Sequence, residues 1–353
     1  VPDVRLKLGG QVYGGWTRIR VMRSIESVAD TFELTLTERW GEQAAPRPIR
    51  AGMPCEVWIG NERVVTGYVD EALPAYDGQT HTIAVSGRSK AGDLVDCSLA
   101  GEAGKPLQWK GQTLLAIAKD LAGRFGIEVS ATADVGAPFK IEALEPGETV
   151  WDFLEGLARR RAVRIVSKTD GNLVITRAGT ARIDTALRLG ENIRSASGQF
   201  TTRERFSDYI VQGQQTGDDW GSGDAAAHMQ GAASDEALKG LGRYRPLVVV
   251  ADGPSTTADC KRRAEWQRNT AYGRGQGVVY TVADWRHASG LWVPNHLVPV
   301  DDAWMGIEAD RLIMSVQFLL DDNGQRAELR VMPPEAADLV ALPDPDKEGS
   351  PWG

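Results

Sequence analysis

The chain has 353 residues, 42% of them apolar and 25% charged, and a formal net charge of −8. That length leaves room for two to four globular domains. The acidic balance excludes a protein that grips DNA by neutralising its phosphates. No apolar run reaches the length of a membrane helix, and no secretory leader is recognisable at Val1. Cys55, Cys97 and Cys260 are scattered without a C-x-x-C spacing and read as reduced thiols. The 39 glycines suit a turn-rich β protein. The eleven tryptophans point to interfaces as well as cores.

Residues 1–104 read as a first β domain, a barrel or sandwich. Ile19–Met22, Phe32–Thr37, Cys55–Ile59 and Val64–Val69 are short strand-like runs separated by turn residues. Residues 105–182 change period and hold an internal repeat. The run from Thr113 to Leu121 is followed by Phe125-Gly-Ile-Glu-Val. The run from Thr149 to Leu157 is followed by Arg161-Ala-Val-Arg-Ile. Leu114/Val150, Ile117/Phe153, Ala118/Leu154 and Leu121/Leu157 fall in register at helical spacing. Thr149-x-x-Asp152 is a helix start, because the hydroxyl accepts a free backbone N–H of the first turn. The segment therefore reads as a small α/β insert of two helix–strand units.

Residues 183–333 return to β, with Tyr209–Gln212, Leu247–Ala251, Val278–Val282 and Leu291–Val300 as strands. Within them, residues 214–242 lack apolar periodicity and read as a mobile loop. Residues 256–270 read as a helix, with Thr256-x-x-Asp259 at its start. Residues 334–353 form a polar tail. Two runs repeat one pattern: a strand, then Asp77-Gly78 or Asn323-Gly324, then a second strand. Such dipeptides accept the positive φ angles of a type I′ turn. Similar hairpins near both ends predict a duplicated β domain with the two turns at equivalent positions.

No catalytic signature is present: no G-x-S-x-G, H-E-x-x-H, P-loop or dinucleotide fingerprint. His81, His228, His287 and His296 lack metal-ligand spacing. His287 and His296 would have to meet in space near Asp284 and Asp301 to act together, and the ordinary reading is surface or hydrogen-bonded histidine. Asp218, Asp219 and Asp224 do not match a calcium loop and read as a solvated acidic stretch. No cofactor or metal is expected. Arg159, Arg160, Arg161 and Arg164 cluster at the end of the second insert helix. They suit the negative end of the helix dipole; the competing reading is a docking patch for an acidic partner. Lys261, Arg262 and Arg263 read as a solvated helix face. A sugar-binding role for the two helix units is the weaker alternative to simple packing.

Six segments together resemble the baseplate hub proteins of Mu-like contractile-tailed phages. They are Arg23-Ser-Ile-Glu-Ser-Val-Ala-Asp-Thr-Phe-Glu-Leu, Gly87-Arg-Ser-Lys-Ala-Gly-Asp-Leu-Val-Asp-Cys and Gln108-Trp-Lys-Gly-Gln-Thr-Leu. Leu189-Gly-Glu-Asn-Ile, Arg205-Phe-Ser-Asp-Tyr and Arg243-Tyr-Arg-Pro follow in the same order. The wider family is similar to the hub of T-even phages, the gpD-type tail proteins and the base of type VI secretion valine–glycine repeat spikes. The resemblance implies a mainly β fold, with two similar tube-like β-barrel domains flanking a small α/β domain. It implies a structural, non-enzymatic hub located in the virion tail baseplate and assembled in the host cytoplasm. It further implies a homotrimer whose six barrels adapt a six-fold tail tube to a three-fold central spike. The insert would buttress that ring from outside. The tail tube protein, the spike protein and other baseplate subunits would be partners, and DNA would pass through the lumen. The alternatives are a tail-associated peptidoglycan hydrolase, which wants a paired acid and base that nothing here singles out, and a type VI spike base, which expects a β-helical continuation.

Overall fold

The structure, a computed structural model, describes residues 3–39, 49–78, 80–101, 107–214, 230–254 and 256–339. The first part holds β1 (Val4–Leu8), β2 (Gln11–Tyr13), β3 (Arg18–Ser24), β4 (Thr31–Arg39), β5 (Pro54–Ile59), β6 (Glu62–Tyr76) and β7 (Thr80–Ser89). The insert follows, with β8 (Gln108–Gln112), β9 (Val129–Ala131), β10 (Phe139–Ala143), β11 (Arg164–Ser167) and β12 (Leu173–Thr176). The last part holds β13 (Leu187–Arg188), β14 (Ile193–Phe200), β15 (Asp208–Gln214), β16 (Gln230–Ser234), β17 (Pro246–Pro254) and β18 (Gln276–Val282). It ends with β19 (Arg286–His287), β20 (Gly290–Leu291), β21 (Leu297–Asp302), β22 (Ile307–Asp321) and β23 (Gly324–Met332).

The mainly β fold with an α/β insert is as the sequence implies, but among the described residues the two halves do not close into separate barrels. They share one thirteen-stranded sheet, ordered β14-β18-β23-β22-β3-β4-β7-β6-β5-β1-β2, with β21 beside β22 and β13 beside β21. The joint is β22 against β3, from Ser315 opposite Ser24 to Leu320 opposite Ile19. One hydrophobic core spans that joint, with Phe32, Leu34 and Val85 from one half and Tyr280, Phe318 and Leu329 from the other. The joint pairs two edges that separate sheets would leave open.

The two halves repeat one layout. β3-β4-β7-β6-β5 matches β14-β18-β23-β22-β21, with every neighbouring pair antiparallel. Each long hairpin strand carries a bulge at the same place: Asp70 in β6, between Val69 opposite Gly87 and Glu71 opposite Ser86, and Met314 in β22, between Ile313 opposite Val331 and Ser315 opposite Arg330. An extra residue switches which face the following side chains take. Val69 and Ala72 therefore face the shared core three residues apart, as Ile313 and Val316 do. Met314 itself turns to the other side, where it packs with Ile25, Leu312 and Ala336.

The hairpins are counterparts, yet the two turn dipeptides are not. In the first turn the Asp77 N–H donates to the Thr80 carbonyl at 3.0 Å; in the second, Asp321 pairs with Gly324. The counterpart of Asp77 is Asp321, so Asn323-Gly324 sits two residues later in its loop than Asp77-Gly78 does.

The insert follows the sequence closely. Its helices span Leu114–Gly123 and Val150–Arg160; Thr113 and Thr149 cap them through Ala116 and Asp152 N–H groups. β9 and β11 flank β12, the first parallel to it and the second antiparallel. Leu114, Ile117, Leu121, Leu154 and Leu157 meet Ile165 and Leu173 in a separate core.

Residues 205–274 correct the reading of 183–333 as a single barrel. β15 pairs β16 antiparallel and β17 parallel. The helix Thr257–Arg274 packs on them through Cys260 and Ala264, against Tyr209, Val211 and Ala233. This α/β unit sits between β14 and β18 in the chain. Thr256 and Asp259 form the expected capping box, and the helix runs four residues past 270. The loop read over 214–242 is corrected for its second half: Gln230–Ser234 is a strand and Glu236–Gly240 a helix. Its first half, with Asp218, Asp219, Asp224 and His228, lies outside the described residues, as does most of the polar tail.

Candidate assembly surfaces

Among the open strand edges of the described residues, two are counterparts of strands that meet inside the chain. From Ser195 to Phe200, β14 pairs only with β18. Beyond the Asp70 bulge, β6 pairs only with β7. Both carry large apolar side chains into solvent: Leu73 is 60% exposed and Phe200 48%. Tyr76, at the hairpin tip, is also exposed, with its ring edge-on to His81. Exposed apolar groups on an unpaired edge mark a surface made for pairing. Sequence reasoning missed β14, because Ile193–Phe200 alternates small and polar residues where a half-buried strand shows large apolar ones.

The arginine cluster divides in two. Arg160 makes a buried ion pair with Glu142 at 2.6 Å, and its guanidinium lies 4.6 Å from the centre of the Phe139 ring. Arg161 covers the same ring at 3.8 Å and donates to the Ala137 carbonyl. These two hold β10 against the helix. Arg159 and Arg164 instead line a groove of about 470 Å³ with Trp151, Trp266 and Glu26. Arg159 pairs with Glu155 one helical turn away at 3.0 Å. Arg164 donates to the Ala337 carbonyl, and burial lowers its pKa. The segment that follows the last strand is thereby tied to the insert, and Trp266 adds a bond to the Asp338 carbonyl at 2.8 Å.

His296 lies near enough to His287 to disfavour its charge. Burial is the larger cause of the lowered His287 pKa. His287 packs on Trp292 and His296 contacts the Pro294 carbonyl. Among the described residues no three His, Cys, Asp or Glu side chains converge as metal ligands. All three cysteines are free thiols, and burial pushes Cys55 up to about 12. Lys261, Arg262 and Arg263 lie on the Thr257–Arg274 helix, where Arg262 pairs with Asp259.

The Arg205-Phe-Ser-Asp-Tyr segment anchors the third unit. The Arg205 guanidinium grips both carboxylate oxygens of Asp235 in a buried pair, at 2.7 Å for the shortest bond. Asp235 in turn caps the Glu236–Gly240 helix through the Leu238 N–H. Fork-on-carboxylate geometry fixes orientation as well as charge.

A continuous β sheet with open edges and an internal repeat is the architecture of an assembly protein of the phage-tail class. Family comparisons specify it. Residues 3–89 match the N-terminal model of Mu phage baseplate assembly protein GpP-like proteins, and residues 91–177 match the second domain of baseplate hub protein gp44-like proteins. Residues 205–267 match the third domain of NMB1110-like tail proteins, and residues 256–340 the fourth domain of GpP. The baseplate hub protein gp44 of Escherichia phage Mu is 32% identical over 343 residues, covering 94% of this chain and 88% of that protein. The 43 kDa tail protein of prophage MuSo2 from Shewanella oneidensis is 40% identical with a TM-score of 0.84, covering 96% of this chain and 100% of its own. A tail protein from Neisseria meningitidis MC58 is 26% identical with a TM-score of 0.75, over 95% and 99%. A type VI secretion component, the E. coli c3393 protein, shares the fold at 11% identity and a TM-score of 0.57, over 96% of this chain and 80% of its own. The chain belongs to the Mu-like family of baseplate hub proteins and is a structural component of the phage tail.

Proposed function

We propose that three copies form a ring in the virion baseplate, adapting a six-fold tail tube to a three-fold spike. The observation that carries this is the repeat within one chain: two matched five-strand units, each with its bulge at Asp70 or Met314. Two units per chain let a trimer present six similar faces on one side while keeping three-fold symmetry on the other. The tail tube protein, the central spike and neighbouring baseplate subunits are the proposed partners. The ring leaves a channel through which DNA passes, and a net acidic chain suits passage without sticking. The role is scaffolding, not catalysis. Assembly takes place in the host cytoplasm, before the tail is complete.

The insert and the 205–274 unit lie outside the sheet and buttress it. Arg159 and Arg164, in their shared groove, are the docking point for an acidic segment of another baseplate subunit. Electron microscopy of the purified protein tests the ring: three-fold particles with six similar inner lobes are expected. Single compact particles at micromolar concentration would refute it.

A further inference from the structure

We infer that the ring closes by β6 of one copy pairing with β14 of the next, in a register fixed by the joint inside each chain. The inference rests on the trimer proposed above and adds which edges meet and how. Within a chain, β22 beyond its bulge pairs with β3. The counterpart of that part of β22 is Glu71–Ala75 of β6, and the counterpart of β3 is β14. Both of these edges are open. The repeat thus contains one internal joint and the two halves of a second, identical one. The second joint is completed only by another copy.

The register follows from the matched ladders. Ser315 corresponds to Glu71, because each is the first residue after its bulge. Ser195 corresponds to Arg18, since their partners Thr281 and Thr35 are counterparts in turn. Carrying the Phe318–Val21 and Val316–Arg23 pairs across places Pro74 opposite Gly198 and Ala72 opposite Phe200. On the other face, Leu73 falls opposite Gln199 and Ala75 opposite Ser197.

Two features of this chain agree with that register. Ala72 and Ala196 both rest on the shared core, so the two strands present the same face to it. Large meets small on that face, Phe200 against Ala72. Pro74 has no N–H to give, so the joint forgoes one ladder bond at that position. A slip of one residue would set Phe200 opposite Leu73 or Glu71, whose side chains take the other face.

Cysteine pairs test the register, with Cys97→Ser in every variant; Cys55 and Cys260 are buried. Leu73→Cys with Gln199→Cys places thiols on directly opposed positions, within disulfide reach. Leu73→Cys with Ser195→Cys is the out-of-register control. The three positions that receive cysteine are exposed and Cys97 is half-buried, so folding is not at risk. The mass of each variant is measured before mild copper-phenanthroline oxidation. A trimer in which the first pair links subunits severalfold more than the control supports the inference. A trimer with equal or no linking overturns the register and leaves the trimer standing. A monomeric mass at every concentration overturns both.

Discussion

Asp70 and Met314 are the same residue of two hairpins, each bulged out of a long strand beside an antiparallel partner. Their side chains have diverged. Met314 is buried against Ile25 and Ala336. Asp70 accepts from Arg88 Nε at 2.7 Å, and Arg88 also holds Asp96 at 2.6 Å. The Arg88 guanidinium keeps the Asp96 carboxyl below its usual range. The first bulge is thus clamped to Gly92–Asp96, a short helix that leads into the insert, while the second is packed into a core.

Arg88→Ala should loosen the insert from the first half. The network is partly exposed, so the expected loss is about 1 kcal/mol, smaller at high salt. Thermal unfolding at two ionic strengths checks it; an unchanged midpoint in low salt would contradict the clamp.

Arg205→Ala should damage the 205–274 unit far more. It strands the buried Asp235 carboxylate, a change that costs about 3–5 kcal/mol. Hydrogen exchange should rise in β15–β17 and the Thr257–Arg274 helix while β22 and β23 stay protected. Uniform loss of protection would mean that the unit has no independent core.

The sequence displayed this unit poorly for a physical reason. β16 alternates buried and exposed positions, but the buried ones are Gly231 and Ala233. A Cβ on Gly231 would come within 2.1 Å of the Lys261 backbone nitrogen, so the helix approach demands glycine where a pattern reader expects a large apolar residue. The insert was legible because Leu114, Ile117 and Leu121 declare its helix face and Thr113 and Thr149 its caps. The hairpins were legible from Asp77-Gly78 and Asn323-Gly324, though not the offset between those turns. The fusion of both halves was hidden, since pairing of Ser315 with Ser24 is remote in sequence and leaves no local signal. The arginine cluster misled by proximity: adjacent Arg160 and Arg161 serve Phe139, while Arg159 and Arg164 face the groove.

Gly87→Ala should destabilise the first half. Its added methyl would meet the Tyr68 carbonyl at 2.1 Å and the Phe32 ring at 2.6 Å. Overpacking of this kind costs about 3 kcal/mol at its upper end. Denaturant unfolding reads it directly, and a wild-type midpoint would show that β4 and β6 yield more easily than the packing implies.

Burial pushes the Asp30 carboxyl up to about 6, against the opposing pull of Arg23 at 3.2 Å. A raised folded-state pKa favours the protonated form in the native protein. Asp30's contribution is therefore fully present below pH 3.8 and lost as pH rises through about 6. The stability difference between wild type and Asp30→Asn should shift against wild type over that window. A difference that stays flat, or moves the other way, would contradict the burial account.

The mass of the purified chain in solution tests the central claim most directly. One chain weighs 38.3 kDa. Sedimentation equilibrium at micromolar concentration should return three times that mass, and Leu73→Lys with Phe200→Lys should return the single-chain value while keeping the native fold. A wild-type protein that remains at one chain's mass across the concentration range would contradict the ring.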